Sequence, residues 1–420
     1  MAARMADCIL LTHPTGNEYI RAAVVGLYEA GVLTEFHTTV ASYPGNVWDL
    51  LGKSPWGREF QRRKFDQRVQ PVTVQHPFRE LGRMLSIRLK LHRLYRHETG
   101  LFCIDAIFRE LDGIAAARVR EYPQNFTCVY ACEDGALEVL TAAREKGLAA
   151  IYDLPIGYWR AARKLLEGEF ERMPEWATTL TGFKDSAEKV NRKDQELAKA
   201  TKIIVASRFT ANTLKEYSGN LAPTIVVPYG FPQVYPESHR PARGAVTKEK
   251  PLRLLFVGGL SQRKGIADLF AAVTTLGPAV SLTVIGNKVT EDCPALNREL
   301  ARHQWIPSLP HERILEEMRS HDVLVFPSLF EGFGLVITEA MSQGTPVVAT
   351  ERTAGPDLIT HGENGWLIKA GTTEALVEQL EKLVINPQAV REAGVHARKT
   401  AASRPWSVYG HELADAITKS

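Results

Sequence analysis

The chain has little excess charge of either sign: its 420 residues carry 51 Lys/Arg against 48 Asp/Glu, a formal charge of +3. That near-balance argues against a dedicated nucleic-acid binder, whose domains carry a strong basic excess, so no nucleic-acid partner is expected. No run of 18 apolar residues occurs, which argues against a transmembrane helix. Near the N-terminus only residues 8–11 form an apolar core after Arg4, and no small-residue cleavage site follows. A secretory signal peptide is therefore not expected. Cysteine is scarce: of the five, Cys8, Cys103 and Cys293 are far apart, and Cys128 and Cys132 sit inside an apolar run. Buried free thiols in a reducing cytoplasm fit this better than disulfides or a zinc knuckle. No repeat of 20–50 residues is present, which excludes a solenoid. What remains, 45% apolar and 24% charged, is ordinary globular composition, and the length calls for two domains.

Short apolar runs alternate with longer helical patterns, the signature of α/β architecture with parallel sheets. CILLT reads as a buried strand, HPTGN (13–17) as a loop, and EYIRAAVVGLYEAG as a helix ending at Gly31. EFHTTVAS, TCVYA, AAIYD, KIIVAS and IVVPYG continue the series as strands. The pattern restarts with RLLFVGG, a helix opened by Gly265, then SLTVIG, HDVLVFPS, TPVVAT and the shorter GWLIKA. Between the halves, residues 236–250 are polar, aperiodic and carry two prolines, which reads as a linker. The expected fold is α/β, with Rossmann-like β/α/β domains over 1–235 and 251–403.

The balanced total hides a local excess. From Lys53 to Arg120 there are 15 Lys/Arg against 7 Asp/Glu, which suggests an anionic partner surface. Within it, RELGRMLSIRLKLHRLYR, bounded by Arg79 and Arg96, carries six Lys/Arg and one Glu. As one helix it would place Leu81, Met84, Leu85, Leu91, Leu94 and Tyr95 on a single face. Such a helix either lies on anionic lipid or packs on a core with a solvated basic back.

The most informative stretch is PSLFEGFGLVITEAMSQGTPVVAT, residues 327–350. A strand ends at Pro327, a tight turn follows over Glu331, Gly332, Phe333 and Gly334, and a short helix is closed by Gly344. Glycines there let the backbone approach a ligand, and the helix N-terminus presents unpaired N–H groups, a natural diphosphate site. Glu331 and Glu339 are acceptors suited to vicinal sugar hydroxyls. A dinucleotide fingerprint is the weaker reading, because Ile337 occupies its third glycine position.

This string resembles the signature of the retaining glycosyltransferases of family 4, which have the GT-B fold, two Rossmann-like domains facing a central cleft. FVGGLSQRKGIADLFAAV, VIG, the GW dipeptide, ATKIIVASRFTANTL and VVPYG follow in the family's order, so the resemblance spans roughly residues 200–385. It implies that Glu331 contacts the donor sugar and Glu339 the ribose of its nucleotide. Gly332, Phe333, Gly334 and Leu335 would offer N–H groups to sugar and phosphate, and Trp305, Ile306 and Pro307 would border the base. Lys264 would neutralise the diphosphate beside Gly258. Many relatives carry an arginine where this chain has Gly259, and Arg263 is the candidate to replace that charge.

On the acceptor side, His13 is either a proton acceptor or a hydrogen-bond partner of a neighbouring loop. Gly16 and Asn17 share its loop, and Glu133, Asp134 or Asp153 stand where relatives carry a histidine. No aspartate is followed two positions on by another, so the expected chemistry uses no metal and no cofactor beyond a UDP- or GDP-sugar co-substrate. The resemblance further implies a glycan or lipid-linked acceptor and a cytoplasmic protein, peripheral on the membrane. It also implies a terminal helix, 404–420, crossing back onto the first domain. The alternatives are a sugar-nucleotide epimerase or phosphorylase of similar fold and a catalytically idle membrane or complex subunit.

Overall fold

A computed structural model describes residues 8–54, 57–236 and 250–419. The first domain holds seven parallel strands: β1 (Ile9–Thr12), β2 (Leu33–Thr38), β3 (Thr73–Gln75), β4 (Cys128–Cys132), β5 (Ala149–Leu154), β6 (Lys202–Val205) and β7 (Thr224–Val226). The second holds six: β8 (Leu252–Val257), β9 (Val280–Ile285), β10 (Gln304–Ile306), β11 (Val323–Phe326), β12 (Val347–Thr350) and β13 (Gly365–Ile368). Every residue of β1, β4, β11 and β12 is buried, as expected of strands covered by helices on both faces.

Spatial order is 3-2-1-4-5-6-7 in the first sheet and 10-9-8-11-12-13 in the second. Each order reverses once, between β1 and β4 and between β8 and β11. Connecting loops diverge there, and a crevice opens beyond the carboxyl ends of the strands. These two switch points position the site. The expected pair of Rossmann-like domains is present.

Three local expectations need correction. The second strand starts at Leu33 and ends at Thr38, where EFHTTVAS placed it over 35–42. The short edge strands β3 and β10 were absent from the sequence reading, since three residues are too few to show a period. The single helix expected over 79–96 is two pieces, Phe78–Arg88 and the 3-10 turn His92–Leu94. Lys90 adopts φ +56°, and the Leu91 N–H donates to the Ser86 carbonyl at 2.8 Å, a left-handed helix stop made without glycine. The linker expected over 236–250 lies outside the described residues except for its two ends.

Two chain segments cross between the domains. The terminal helix Trp406–Thr418 returns to the first domain and packs on the helix Glu18–Glu29. The axes meet at Gly26 and Gly410, where a Cβ on Gly26 would overlap the Gly410 backbone. Lys202 Nζ closes the helix end, donating to the carbonyls of Ala416 (2.7 Å) and Lys419 (3.1 Å). In the opposite direction, residues 168–180 follow β5 in sequence yet pack on the second domain. Trp176, 8% exposed, joins the second domain's core and stacks on Phe270 at 5.9 Å.

Gly26→Val should force the crossing helices apart and lower stability by about 1–3 kcal/mol, the usual cost of overpacking. Urea denaturation reads this, and unchanged stability would contradict the close crossing.

Candidate active site

The donor-side residues gather at the switch point of the second sheet. β8 ends at Val257, Gly258 and Gly259 follow, and a 3-10 turn, Gln262–Lys264, carries the two cations. β11 ends at Phe326, and the loop beyond it brings Glu331 to face them. Both cations converge on one carboxylate oxygen: Lys264 Nζ and Arg263 Nη1 (3.3 Å) contact Glu331 Oε2. Arg263 Nη1 also donates to the Phe330 carbonyl at 2.7 Å, and Lys264 Nζ lies 4.9 Å over the Phe326 ring. Burial and the adjacent guanidinium push the Lys264 ammonium down, and Glu331 is the carboxylate beside it. A side chain at Gly259 would meet only Val289 Cγ1, at 3.7 Å, so the backbone does not demand glycine there. Arg263 stands beside Lys264 as a second cation on Glu331.

Beyond Glu331 the chain packs closely on the first domain. A Cβ on Gly332 would overlap the Pro155 carbonyl oxygen, so only glycine fits. The Gly332 carbonyl accepts from Ser207 Oγ (2.6 Å) and Thr210 Oγ1 (2.9 Å) of the first domain. Gly334, at φ +88°, then opens the helix Leu335–Ser342, whose first N–H groups have no partner within the helix, and a Cβ on Gly334 would come within 3.5 Å of Glu331 Cγ. Burial pushes the Glu339 carboxyl up, and His311 Nδ1, 3.8 Å away, opposes that shift. Trp305 Nε1 donates to the Gly286 carbonyl at 3.0 Å, with Lys288 Nζ 4.8 Å over its ring, and Ile306 and Pro307 continue from that edge strand.

The acceptor-side residues follow β1, β4 and β5, but they are not equally available. Gly16 and Asn17 border the crevice, with Asn17 exposed. His13 is 3% exposed, its Nδ1 is 2.8 Å from the Thr15 carbonyl oxygen, and its Nε2 faces the Tyr19 hydroxyl at 3.4 Å. Burial pushes its pKa down to about 4, so the ring is neutral at physiological pH. Glu133 and Asp134 are engaged by Lys193 Nζ at 3.3 and 3.6 Å. Burial pushes Glu133 up to about 7 against that ammonium. Asp153 is 2% exposed, accepts from Cys132 Sγ at 3.3 Å, and is pushed up to about 6 by burial. Of the three carboxylates, only the partly buried Asp134 reaches toward solvent.

Sequence reasoning missed Ser207 and Thr210, and Arg208, whose Nε donates to Asp357 Oδ1 of the second domain at 2.7 Å. The string ASRFTAN carried them, but a helix cap cannot be told from a domain clasp without the partner. It also missed Gln262, fully buried beneath the two cations. Among the described residues one group, His97, Glu98 and Asp185, has metal-ligand proximity. Lys189 Nζ, 3.3 Å from Asp185 and 2.8 Å from neighbouring Asp105, already neutralises that corner.

Residues 241–400 match the family described as glycosyl transferases group 1. That match falls on the second domain. Alpha-maltose-1-phosphate synthase of Mycolicibacterium smegmatis is 32% identical over 160 residues, 34% of this chain and 41% of that protein. The lipopolysaccharide 1,6-galactosyltransferase of Salmonella typhimurium is 31% identical over 146 residues, 33% of this chain and 41% of that protein. The chain thus matches about four tenths of the length of these curated relatives. In overall fold the chain resembles sucrose-phosphate synthase from Thermosynechococcus elongatus, with TM-score 0.64 and 17% identity over 98% of each chain. It also resembles the Anabaena protein HepE, solved in complex with UDP, with TM-score 0.62 and 15% identity over 99% of this chain and 100% of that one. At these identities the likeness establishes the fold, which is GT-B.

Asp153 yields a pH test. Its folded pKa, about 6, lies above the unfolded value of about 3.9, so its contribution is present at low pH and lost as pH rises through 6. The stability of Asp153→Asn relative to wild type should increase between roughly pH 4 and 7, by up to about 3 kcal/mol. Denaturant titrations at the two pH values check this; a constant difference would mean that the carboxyl is not held in a desolvating site.

Proposed function

We propose that the protein transfers a sugar from a nucleotide donor to a hydroxyl acceptor with retention of anomeric configuration and without a metal. The observation that carries this reading is the convergence of Lys264 and Arg263 on Glu331, beside the N-terminus of the helix Leu335–Ser342. Breaking a glycosyl–phosphate bond leaves negative charge on a nucleoside diphosphate, and stabilising that charge is the main catalytic task. Two adjacent cations and a helix N-terminus supply it in a partly desolvated crevice, where electrostatic contacts are stronger than in water. Glu331 binds the hydroxyls of the donor sugar and Glu339 those of the ribose, with Trp305, Ile306 and Pro307 bordering the base. The relative named as a lipopolysaccharide galactosyltransferase supports a glycan or lipid-linked acceptor, and the neighbour solved with UDP supports a uridine nucleotide, with GDP as the second candidate.

The acceptor enters over the first domain, which we place against the cytoplasmic face of an anionic membrane. Among the described residues no helix is long and apolar enough to span a bilayer. Between residues 78 and 101, however, Phe78 (72% exposed), Leu85, Leu89 and Leu101 lie open beside the exposed Lys90, Arg93 and Arg96. Apolar side chains that enter the acyl boundary, ringed by cations that meet anionic headgroups, are what interfacial docking requires.

Glu331→Gln should lower transfer by at least about 100-fold, as loss of one preorganised polar contact does, with nucleotide binding retained. Product analysis should show the donor's anomeric configuration, with turnover unaffected by EDTA. Full activity of the variant would overturn the site assignment, and loss on chelation the metal-free chemistry. For docking, the protein should co-sediment with phosphatidylglycerol-containing vesicles and not with pure phosphatidylcholine. Phe78→Ser and Leu85→Ser should weaken that binding, and its absence even at low salt would overturn the membrane assignment.

A further inference from the structure

Residues 168–180 are covalently part of the first domain, yet they fasten the turn that carries the two cations. Gln262 immediately precedes Arg263 and is fully buried. Its backbone N–H donates to Thr179 Oγ1 at 2.9 Å, and its side-chain amide donates to Glu169 Oε2 at 2.8 Å. The neighbouring Ser261 hydroxyl donates to the Thr179 carbonyl at 2.7 Å. Glu169 is itself held to the second domain through Arg172, which bonds both Glu169 and Asp268 at 2.7 Å. Trp176, stacked on Phe270, anchors the same segment in the core below.

These contacts have a directional consequence. Arg263 and Lys264 are adjacent like charges on a three-residue turn, and their mutual repulsion works against the shared contact with Glu331. The turn's own domain holds the Arg263 carbonyl through the Leu329 N–H at 2.9 Å. The N-terminal end of the turn, which sets where the two side chains start, is held by Thr179 and Glu169 from the first domain and by the Ala267 N–H on Gln262 Oε1, at 3.0 Å, from its own. Upstream in the same stretch, the backbone of Pro155 and Ile156 abuts Gly332, and residues 158–164, between them and the segment, pack on the first domain. One stretch of first-domain chain therefore touches both the cation turn and the loop carrying Glu331.

We propose that Thr179 and Glu169, acting through Gln262, are positioning residues for the donor's diphosphate, so that the donor site is complete only with this segment of the acceptor-side domain. The inference rests on Arg263 and Lys264 binding that diphosphate. It assigns the segment a role in discriminating a diphosphate from a monophosphate, since a nucleoside monophosphate lacks the second phosphate that the cation pair addresses.

The test uses the full chain and titration calorimetry with UDP, GDP and ADP and their monophosphates. Wild type should prefer at least one diphosphate over its monophosphate. Thr179→Val and Gln262→Met, which remove hydrogen bonds at nearly constant volume, should each reduce that preference by about tenfold, the scale of a buried hydrogen bond. Donor KM should rise with kcat changed less. Thr179→Ser, which restores the acceptor oxygen, and Glu175→Gln, a surface control on the same segment, should keep the wild-type preference. Equal weakening of mono- and diphosphate binding with a lowered Tm would reduce the segment to scaffolding and overturn the inference. An unchanged preference in both variants would overturn it too, leaving the proposed function standing. A wild type that binds no nucleoside diphosphate would overturn that function and this inference with it.

Discussion

Two neighbouring cations half-withdrawn from water need an anion, and Glu331 is the one the chain provides. Without it, Arg263 and Lys264 would repel each other and face the positive end of a helix, an arrangement opposed by both burial and the macrodipole. The architecture brings the three together because β8 and β11 are neighbours in space at the point where strand order reverses. The loop after β8 carries the cations and the loop after β11 carries the carboxylate, so hydrogen bonding between the two strands fixes their separation. In the proposed reading the same two cations, oriented by Glu331, address the donor's diphosphate.

The same constraint explains how tightly the two domains are fastened around this point. Tyr229, buried near the crossover, stacks on Tyr19 at 4.8 Å, meets Phe333 at 4.7 Å and Tyr409 edge-on at 5.3 Å. One ring thus contacts the helix that follows the His13 loop, the loop that carries Glu331 and the returning C-terminal helix. With the Ser207 and Thr210 bonds to Gly332 and the Arg208–Asp357 pair, the carboxylate loop is held from the first domain. A shift of the acceptor-side strands reaches Glu331 through packed atoms and short hydrogen bonds rather than through solvent.

Much of this was legible in the sequence because burial on both faces leaves unbroken apolar runs. CILLT, CVYAC, LRLLFV and VLVF could hardly be anything but central parallel strands, and EGFG followed by a helical pattern marked the donor loop. The failures share a physical cause. The edge strands TVQ and QWI are too short to carry a period, and the stop at Lys90 uses a left-handed backbone that no glycine announced. Residues 168–180 lack any periodic pattern because they are clamped by polar side chains to another domain rather than laid on a sheet. His13 and Asp153 were placed in the crevice by their position after β1 and in β5, but strand position does not reveal which way a side chain turns. Both turn inward, and their displaced pKa values report desolvation more than catalytic poise.

The small net charge conceals two different uses of charge. Part of the basic excess between residues 53 and 120 is consumed internally: Arg63 and Arg83 share Glu80, and Arg118 pairs with Glu35. What remains open, around residues 90–96, sits beside exposed apolar side chains and acts over a Debye length, about 8 Å at physiological salt. Such charge can hold a surface near a membrane but cannot select an atom. The cations at 263 and 264 act in the opposite regime, partly desolvated, fixed in direction and barely screened. In the proposed reading the exposed cations around residues 90–96 and the half-buried pair at 263 and 264 serve different anions, and the two do not compete, because burial separates them more effectively than distance.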